Sequence, residues 1–150
     1  AEAEHAADWG RAADLSGIAE GGAFASATAE ASVDTADRLG LSTIVAFTES
    51  GTTARLLSKY RPKADVYAFT PVVETYRRMA AYGGVRPMLL DRVYSTDDMI
   101  SSAEQRLLED HLVERGEGVV MVAGVPPNQQ SSTNLMKLHV IGSGDVLHPI

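Results

Sequence analysis

The part of this sequence best suited to chemistry is a short run of hydroxylated residues around a glycine. Thr48, Ser50, Thr52 and Thr53 surround Gly51, between a short apolar run and a helical pattern. Glycine lets the backbone approach a ligand closely. The free N–H groups and the dipole at a helix start attract an anion, and hydroxyl groups add further donors. The spacing predicts a turn that fits one phosphate group.

The same residues are also typical of an ordinary helix cap, which is the commoner role of such a turn. The Gly-Lys-Ser/Thr element of a P-loop is missing. Glu49 stands in the middle of the turn, and we expect its carboxylate to repel a phosphate at close range. The residues by themselves leave both interpretations open.

Other candidate sites are weaker. The chain has no cysteine, which excludes disulfides, thiolate zinc sites and a catalytic thiol. The histidines His5, His111, His139 and His148 are scattered without the spacing of a metal site, and we expect His139 to be a face residue of a strand. No Ser-His-Asp set can be argued from the order of residues. No metal site and no catalytic residue are therefore predicted.

Two groups of charged residues are predicted to be structural. Glu74, Arg77 and Arg78 are expected to form a solvated helix face. Asp97 and Asp98 suit the positive end of a helix dipole, so we interpret them as capping residues and not as paired catalytic carboxylates.

Composition limits the class of protein. The 150 residues, 45% hydrophobic and 22% charged, suit one domain. The net charge of -7 without a basic stripe excludes nucleic acid as a partner. No apolar run approaches the ~20 residues of a membrane span. The polar, acidic N-terminus is not a signal peptide, so we expect a cytoplasmic protein with no membrane partner.

Helical and strand-like patterns alternate along the chain, which predicts a layered α/β sheet. The predicted helices span 23–39, 52–60, 71–82 and 95–115, and the predicted strands span 43–47, 66–69, 85–90, 118–124 and 135–141. Pro87 favours an edge position for the third strand. Residues 1–22 are predicted to be an N-terminal lead-in that could serve as a linker from a preceding domain. Residues 23–150 are predicted to form the domain itself.

Several stretches resemble one family when they are taken together. They are TESGTTA at 48–54, SKYRP at 58–62, FT at 69–70, YGGVRP at 82–87, DMI at 98–100 and TNLMK at 133–137. In this order and spacing they resemble the C-terminal domain of pyruvate kinase, over roughly residues 20 to 141. The turn followed by Tyr-Arg-Pro is specific in combination.

The resemblance implies a three-layer α/β/α sandwich with a five-stranded, mainly parallel sheet. In that family the domain follows a TIM barrel, which holds the active site with Mg²⁺ and usually K⁺ and transfers a phosphoryl group from phosphoenolpyruvate to ADP in glycolysis. The usual assembly is a homotetramer with contacts between C-terminal domains. This chain is therefore expected to have no cofactor of its own, to be non-catalytic alone, and to serve allosteric regulation and assembly beside the barrel domain.

The resemblance also implies an effector pocket, formed by the turn and by the loop before Thr133. Its predicted phosphate-binding residues are Thr48, Ser50, Gly51, Thr52, Thr53, Ser131 and Ser132. In members that bind fructose bisphosphate, a lysine often stands where this chain has Glu49, and the late loop or a nearby helix supplies arginine. The loop 126–132 has no basic residue here. We therefore expect little response to that bisphosphate, and a sugar monophosphate or AMP as the ligand.

Two alternatives stay open. One is a stand-alone small-molecule binding protein with the same fold, and the other is a purely structural interface domain whose effector site has decayed. Fold alone does not decide between these functions.

Overall fold

Helices and strands alternate along the chain, as the sequence predicts. The computed structural model describes residues 22–124, 127 and 133–144. Within them the helices are α1 (Ala23–Leu39), α2 (Thr52–Lys59), α3 (Val73–Met79) and α4 (Thr96–Glu109), and the strands are β1 (Thr43–Phe47), β2 (Asp65–Thr70), β3 (Val85–Leu89), β4 (Gly118–Ala123) and β5 (Leu135–Val140). The predicted lead-in at 1–22 lies, except for Gly22, outside the described residues.

The five strands form one sheet in the order β3-β2-β1-β4-β5. The pairs β1–β2, β2–β3 and β1–β4 are parallel, and β5 runs antiparallel to β4. This confirms the predicted five-stranded, mainly parallel sheet. Pro87 lies in β3 at one edge, where its missing N–H removes no bond from the interior of the sheet.

Helices cover both faces of the sheet. Successive strand residues point to opposite faces, so Ile44 and Ala46 pack with residues of α1, α2 and α3, while Val45 and Phe69 pack with residues of α4. The apolar run of β1 is buried because helices lie on both sides of it. The result is the predicted three-layer α/β/α sandwich.

Helix α3 is shorter than the sequence predicts. Helix α3 begins at Val73 and not at Pro71, because Val72 is extended (φ -102°, ψ 117°) and its N–H is bound by Thr70 Oγ1 at 3.2 Å. Beyond Met79 the chain tightens into short turns, in which the N–H of Tyr82 reaches the Met79 carbonyl at 3.0 Å. The predicted helix 71–82 was therefore too long at both ends.

Helix α4 ends at Glu109, whereas the sequence predicted helix to about residue 115. His111 adopts a left-handed conformation with φ 57°. The N–H of Leu112 then bonds to the Leu107 carbonyl at 2.9 Å and that of His111 to the Leu108 carbonyl at 3.1 Å, which is a Schellman motif. The expected stop signal, a glycine, stands five residues later at Gly116.

Among the helices in the described ranges, none combines the length and the apolar character that crossing a bilayer requires.

Candidate functional site

A cavity of about 610 Å³ opens at the carboxyl ends of the parallel strands. The strand order reverses between β1 and β4, since β2 lies on the other side of β1. In open α/β sheets, ligands bind beyond the carboxyl ends of the strands at such a switch point. The walls come from residues 48–50 and 52–53, 69–72, Thr75, Arg78, 90–93, Met99, Gly124, Pro127 and Thr133, with Phe47 among the apolar residues of the lining.

The predicted turn forms the wall next to β1. Gly51 adopts φ 89°, a left-handed conformation that favours glycine. Thr48 Oγ1 accepts a hydrogen bond from the Gly51 N–H at 2.9 Å. Ser50 Oγ accepts from the Thr52 N–H at 3.3 Å and donates to Thr52 Oγ1 at 3.0 Å. The hydroxyl groups therefore hold the turn together, although the N-cap residue of α2 is Gly51 and makes no side-chain capping bond.

Helix α3 orients the peptide groups of this turn. Thr75 Oγ1 donates to the Glu49 carbonyl at 2.6 Å, and Arg78 Nη2 donates to the Ser50 carbonyl at 2.9 Å. In a trans peptide the N–H points opposite to the carbonyl, so the N–H of Ser50 points away from α3. The N–H groups of Thr53 and Ala54 lie in the first turn of α2, where a helix offers no acceptor of its own.

A buried pair of threonines joins the turn to the far side of the cavity. Thr53 and Thr133 are 4% and 3% exposed, and their Oγ1 atoms lie 2.5 Å apart. Thr133 stands two residues before β5, so this bond fixes the chain at that point against α2. The sequence predicted Thr53 as a site residue and named Thr133 only as the residue that follows the pocket loop. Ser131 and Ser132, the other predicted site residues, lie outside the described part of the chain.

The charges around the cavity differ from the prediction. Glu49 forms an ion pair with Arg92, so its carboxylate does not stand unopposed in the turn. Glu74, Arg77 and Arg78 are all exposed, as the predicted solvated helix face requires, and Arg78 in addition donates to Ser50 and Thr75 at the cavity wall. Nothing in the local pattern marks either arginine, because both contacts depend on how α3 and the loop after β3 pack beside the turn.

Comparison with known protein families shows which family this chain belongs to. A family model described as "Pyruvate kinase, alpha/beta domain" matches residues 26–139, which is most of the sequence.

This chain belongs to the pyruvate kinase family and corresponds to the C-terminal domain of that enzyme.

Individual pyruvate kinases agree with this assignment. The chain is 42% identical to the pyruvate kinase of Staphylococcus saprophyticus over 108 residues, which is 72% of this chain and 18% of the relative. It is 44% identical to that of Clostridium acetobutylicum over 103 residues, or 69% of this chain and 22% of the relative. A crystal structure of a pyruvate kinase from Cryptosporidium parvum matches with a TM-score of 0.69 and 32% identity, covering 78% of this chain and 22% of that one. The chain thus spans about a fifth of these relatives.

Within this pyruvate kinase domain, the predicted turn residues divide into two groups. Thr48, Ser50, Thr52 and Thr53 line the cavity. Gly51 does not; a Cβ at its position would lie 3.5 Å from Thr75 Cγ2 and 3.6 Å from Met79 Cγ, on the side of α3. Gly51 therefore shapes the turn and gives it close contact with α3.

The remaining candidates have structural partners. His139 is 4% exposed and its Nε2 lies 2.6 Å from Glu104 Oε2, which joins β5 to α4. The N-cap of α4 is Ser95, whose Oγ accepts from the Asp98 N–H at 3.1 Å, while Asp97 and Asp98, predicted as capping residues, lie in the first turn where their charges suit the helix dipole. Across the described ranges, no three His, Asp or Glu side chains are grouped to share a metal ion.

Proposed function

We propose that this domain regulates and assembles a pyruvate kinase and does not itself transfer phosphate. The parent reaction, phosphoryl transfer from phosphoenolpyruvate to ADP in glycolysis, then belongs to a barrel domain with its Mg²⁺ and K⁺, which is the partner of this domain in a cytoplasmic enzyme. Two findings support this division of roles. The chain belongs to the family, and it covers only about a fifth of the length of its relatives.

The regulatory part of the proposal depends on the cavity beside the turn. The orientation of the Ser50 N–H away from α3 is the observation that carries it, because this donor and the first-turn N–H groups of α2 form a cradle for an anion. Arg78 adds a positive charge at the same wall. A phosphate monoester, such as a sugar monophosphate or AMP, fits this arrangement of donors and charge.

Calorimetric titration of the full 150-residue chain tests effector binding. The ligands are AMP, ribose 5-phosphate, glucose 6-phosphate and fructose 1,6-bisphosphate. We expect saturable binding of at least one monophosphate, weakened about tenfold by Ser50→Ala, because the hydroxyl that bonds to Thr52 and holds the turn in shape is lost. Thr53→Val should also weaken it.

Ser101→Ala, which removes an exposed hydroxyl from α4, is the matched control and should bind as the wild type does. If no ligand gives heat, or if Ser101→Ala weakens binding as much as Ser50→Ala, the cavity is not an effector site and the turn is only a helix cap.

The assembly part depends on the outer edge of β5. Within the described residues β5 pairs only with β4. Met136, Leu138 and Val140 are 37%, 53% and 47% exposed on one side of this strand. An exposed apolar edge strand is suited to association. We propose that it contributes to contacts between C-terminal domains in a homotetramer.

Sedimentation equilibrium tests this contact. Leu138→Lys should shift the chain towards monomer, while Leu39→Lys should not, since Leu39 is similarly exposed (58%) but lies at the end of α1. An equal effect of both substitutions, or no effect of either on an associating chain, would contradict a role for this edge.

A further inference from the structure

Strand β5 carries a buried histidine between two groups of opposite charge. His139 is 4% exposed. Its Nε2 lies 2.6 Å from Glu104 Oε2 on α4, and its Nδ1 lies 3.1 Å from Lys137 Nζ on the same strand. Each ring nitrogen therefore has a polar partner, and the imidazole joins an ammonium group to a carboxylate between β5 and α4.

The two partners determine which ring nitrogen carries the hydrogen. The ammonium group of Lys137 has donors and no acceptor, so Nδ1 accepts from it and carries no hydrogen itself. A carboxylate only accepts, so Nε2 carries the hydrogen and donates it to Glu104. The contacts therefore fit the neutral Nε2–H tautomer of His139.

The rest of the ring's surroundings are largely apolar. On β4 the residue opposite His139 is Val119, which is buried among the apolar residues that pack with α4. Asp97 lies in the first turn of α4, two helical turns before the carboxylate partner, and is exposed. Arg115 packs beside the turn that follows β5. In the described part of the chain, the charged groups in hydrogen-bond contact with the ring are its two partners.

Protonation of the ring changes which of the two contacts can form. Histidine ordinarily gains its charge between pH 8 and 5. The added hydrogen occupies Nδ1, so two donors and two positive charges meet at Lys137, whereas the contact with Glu104 becomes an ion pair. Lys137 is half-buried on an edge strand, and its flexible stem lets the ammonium group turn to water.

We propose that Lys137, His139 and Glu104 form a pH-sensitive switch between β5 and α4, in which protonation of His139 releases Lys137 and retains Glu104. Its consequence for association rests on the proposed assembly role of β5. Lys137 stands between Met136 and Leu138, two exposed residues of that edge. Its release loosens the strand there, so self-association should weaken in acid.

NMR of the full chain, labelled with ¹⁵N and ¹³C, tests the switch. At pH 8 the ring of His139 should be the Nε2–H tautomer. As the pH is lowered to 5, Nδ1 should gain a hydrogen, and the Cε and Hε shifts of Lys137 should move with the same midpoint. This titration of the wild type requires no variant.

Two substitutions separate His139 from other titrating groups. His139→Gln keeps an N–H donor for Glu104 but does not titrate, so the Lys137 shifts should stay constant between pH 8 and 5. His111→Gln replaces an exposed histidine and is the matched control, in which Lys137 should respond as in the wild type. An Nδ1–H tautomer at pH 8, a ring that stays neutral at pH 5, or Lys137 shifts that do not follow His139 would each overturn the switch.

Sedimentation equilibrium tests the consequence for association. Lowering the pH from 8 to 5.5 should weaken self-association of the wild type about fivefold and leave that of His139→Gln unchanged. Equal weakening of both would overturn the link between the switch and association. A chain that is monomeric at every pH would contradict the assembly role itself, whereas the NMR titration decides the switch in either case.

Discussion

Thr53 and Thr133 share a buried hydrogen bond with their Oγ1 atoms 2.5 Å apart, although 80 residues separate them in the chain. The bond joins the first turn of α2 to the residue that leads into β5. It therefore connects the turn of the candidate site with the chain just before β5. Each hydroxyl is nearly inaccessible to water, which makes each the main available partner of the other.

Thr53→Val should destabilise the domain by about 1–3 kcal/mol, because the buried hydroxyl of Thr133 is left without its partner. The double variant Thr53→Val/Thr133→Val should recover part of that loss, since both polar groups are then gone. Urea denaturation of the three variants measures the coupling. Strictly additive losses would show that the two hydroxyls do not depend on each other.

Gly51→Ala should destabilise the domain by about 1–2 kcal/mol through its left-handed backbone and not through a clash. The added Cβ would meet its nearest neighbours at 3.5–3.7 Å, which is ordinary contact. Gly84→Ala is the matched control, with φ 75° and no atom within 4 Å. Thermal unfolding should show similar losses for both, whereas calorimetry should show weaker phosphate binding only for Gly51→Ala. Equal binding by both variants would mean that the shape of the turn is unimportant for the ligand.

The ends of α1 and α4 show what local sequence can and cannot predict. Both helices end in a left-handed residue followed by a bond back to the last turn. At α1 that residue is Gly40, and the predicted end is correct. At α4 it is His111, a much weaker signal for this conformation than glycine, so the sequence predicts a longer helix.

The residues of the candidate site were likewise only partly predictable from the sequence. The turn residues were found because glycine and hydroxylated side chains between a strand and a helix form a local pattern. Arg78 and Arg92 were missed because they approach the turn from α3 and from the loop after β3. Such contacts arise when helices, strands and loops pack together. Neither the spacing nor the composition of the residues indicates which of these elements will be in contact. The strand order likewise depends on tertiary pairing, although the alternation of elements indicated the layered class.

His111→Gly should stabilise the domain by about 1 kcal/mol, since glycine adopts φ 57° without the steric cost of a side chain. His111→Ala retains a Cβ and should change the stability by less than about 0.5 kcal/mol. Thermal unfolding of the two variants at one pH measures the difference. Equal stability of the glycine and alanine variants would contradict strain at this position.

Tyr67 should make the domain less stable at high pH. Burial raises the pKa of its phenol above the ordinary value of 10.0, partly opposed by the nearby charge of Arg86. Above that value the unfolded chain releases the phenolic proton more readily than the folded one, so the free energy of unfolding falls as pH rises. Tyr67→Phe should reduce this slope between pH 9 and 11 in urea denaturation. The exposed Tyr94→Phe should not, and identical slopes for both variants would contradict the burial effect.

Amide chemical shifts test most directly whether the first turn of α2 binds a phosphate group, as proposed. The ¹⁵N-labelled chain is titrated with ribose 5-phosphate and followed by two-dimensional NMR. We predict that the largest saturable shifts fall on the amides of Ser50, Thr52, Thr53 and Ala54. Shifts that are absent at millimolar ligand, or that are largest along β5 or α4, would contradict an effector site at this turn.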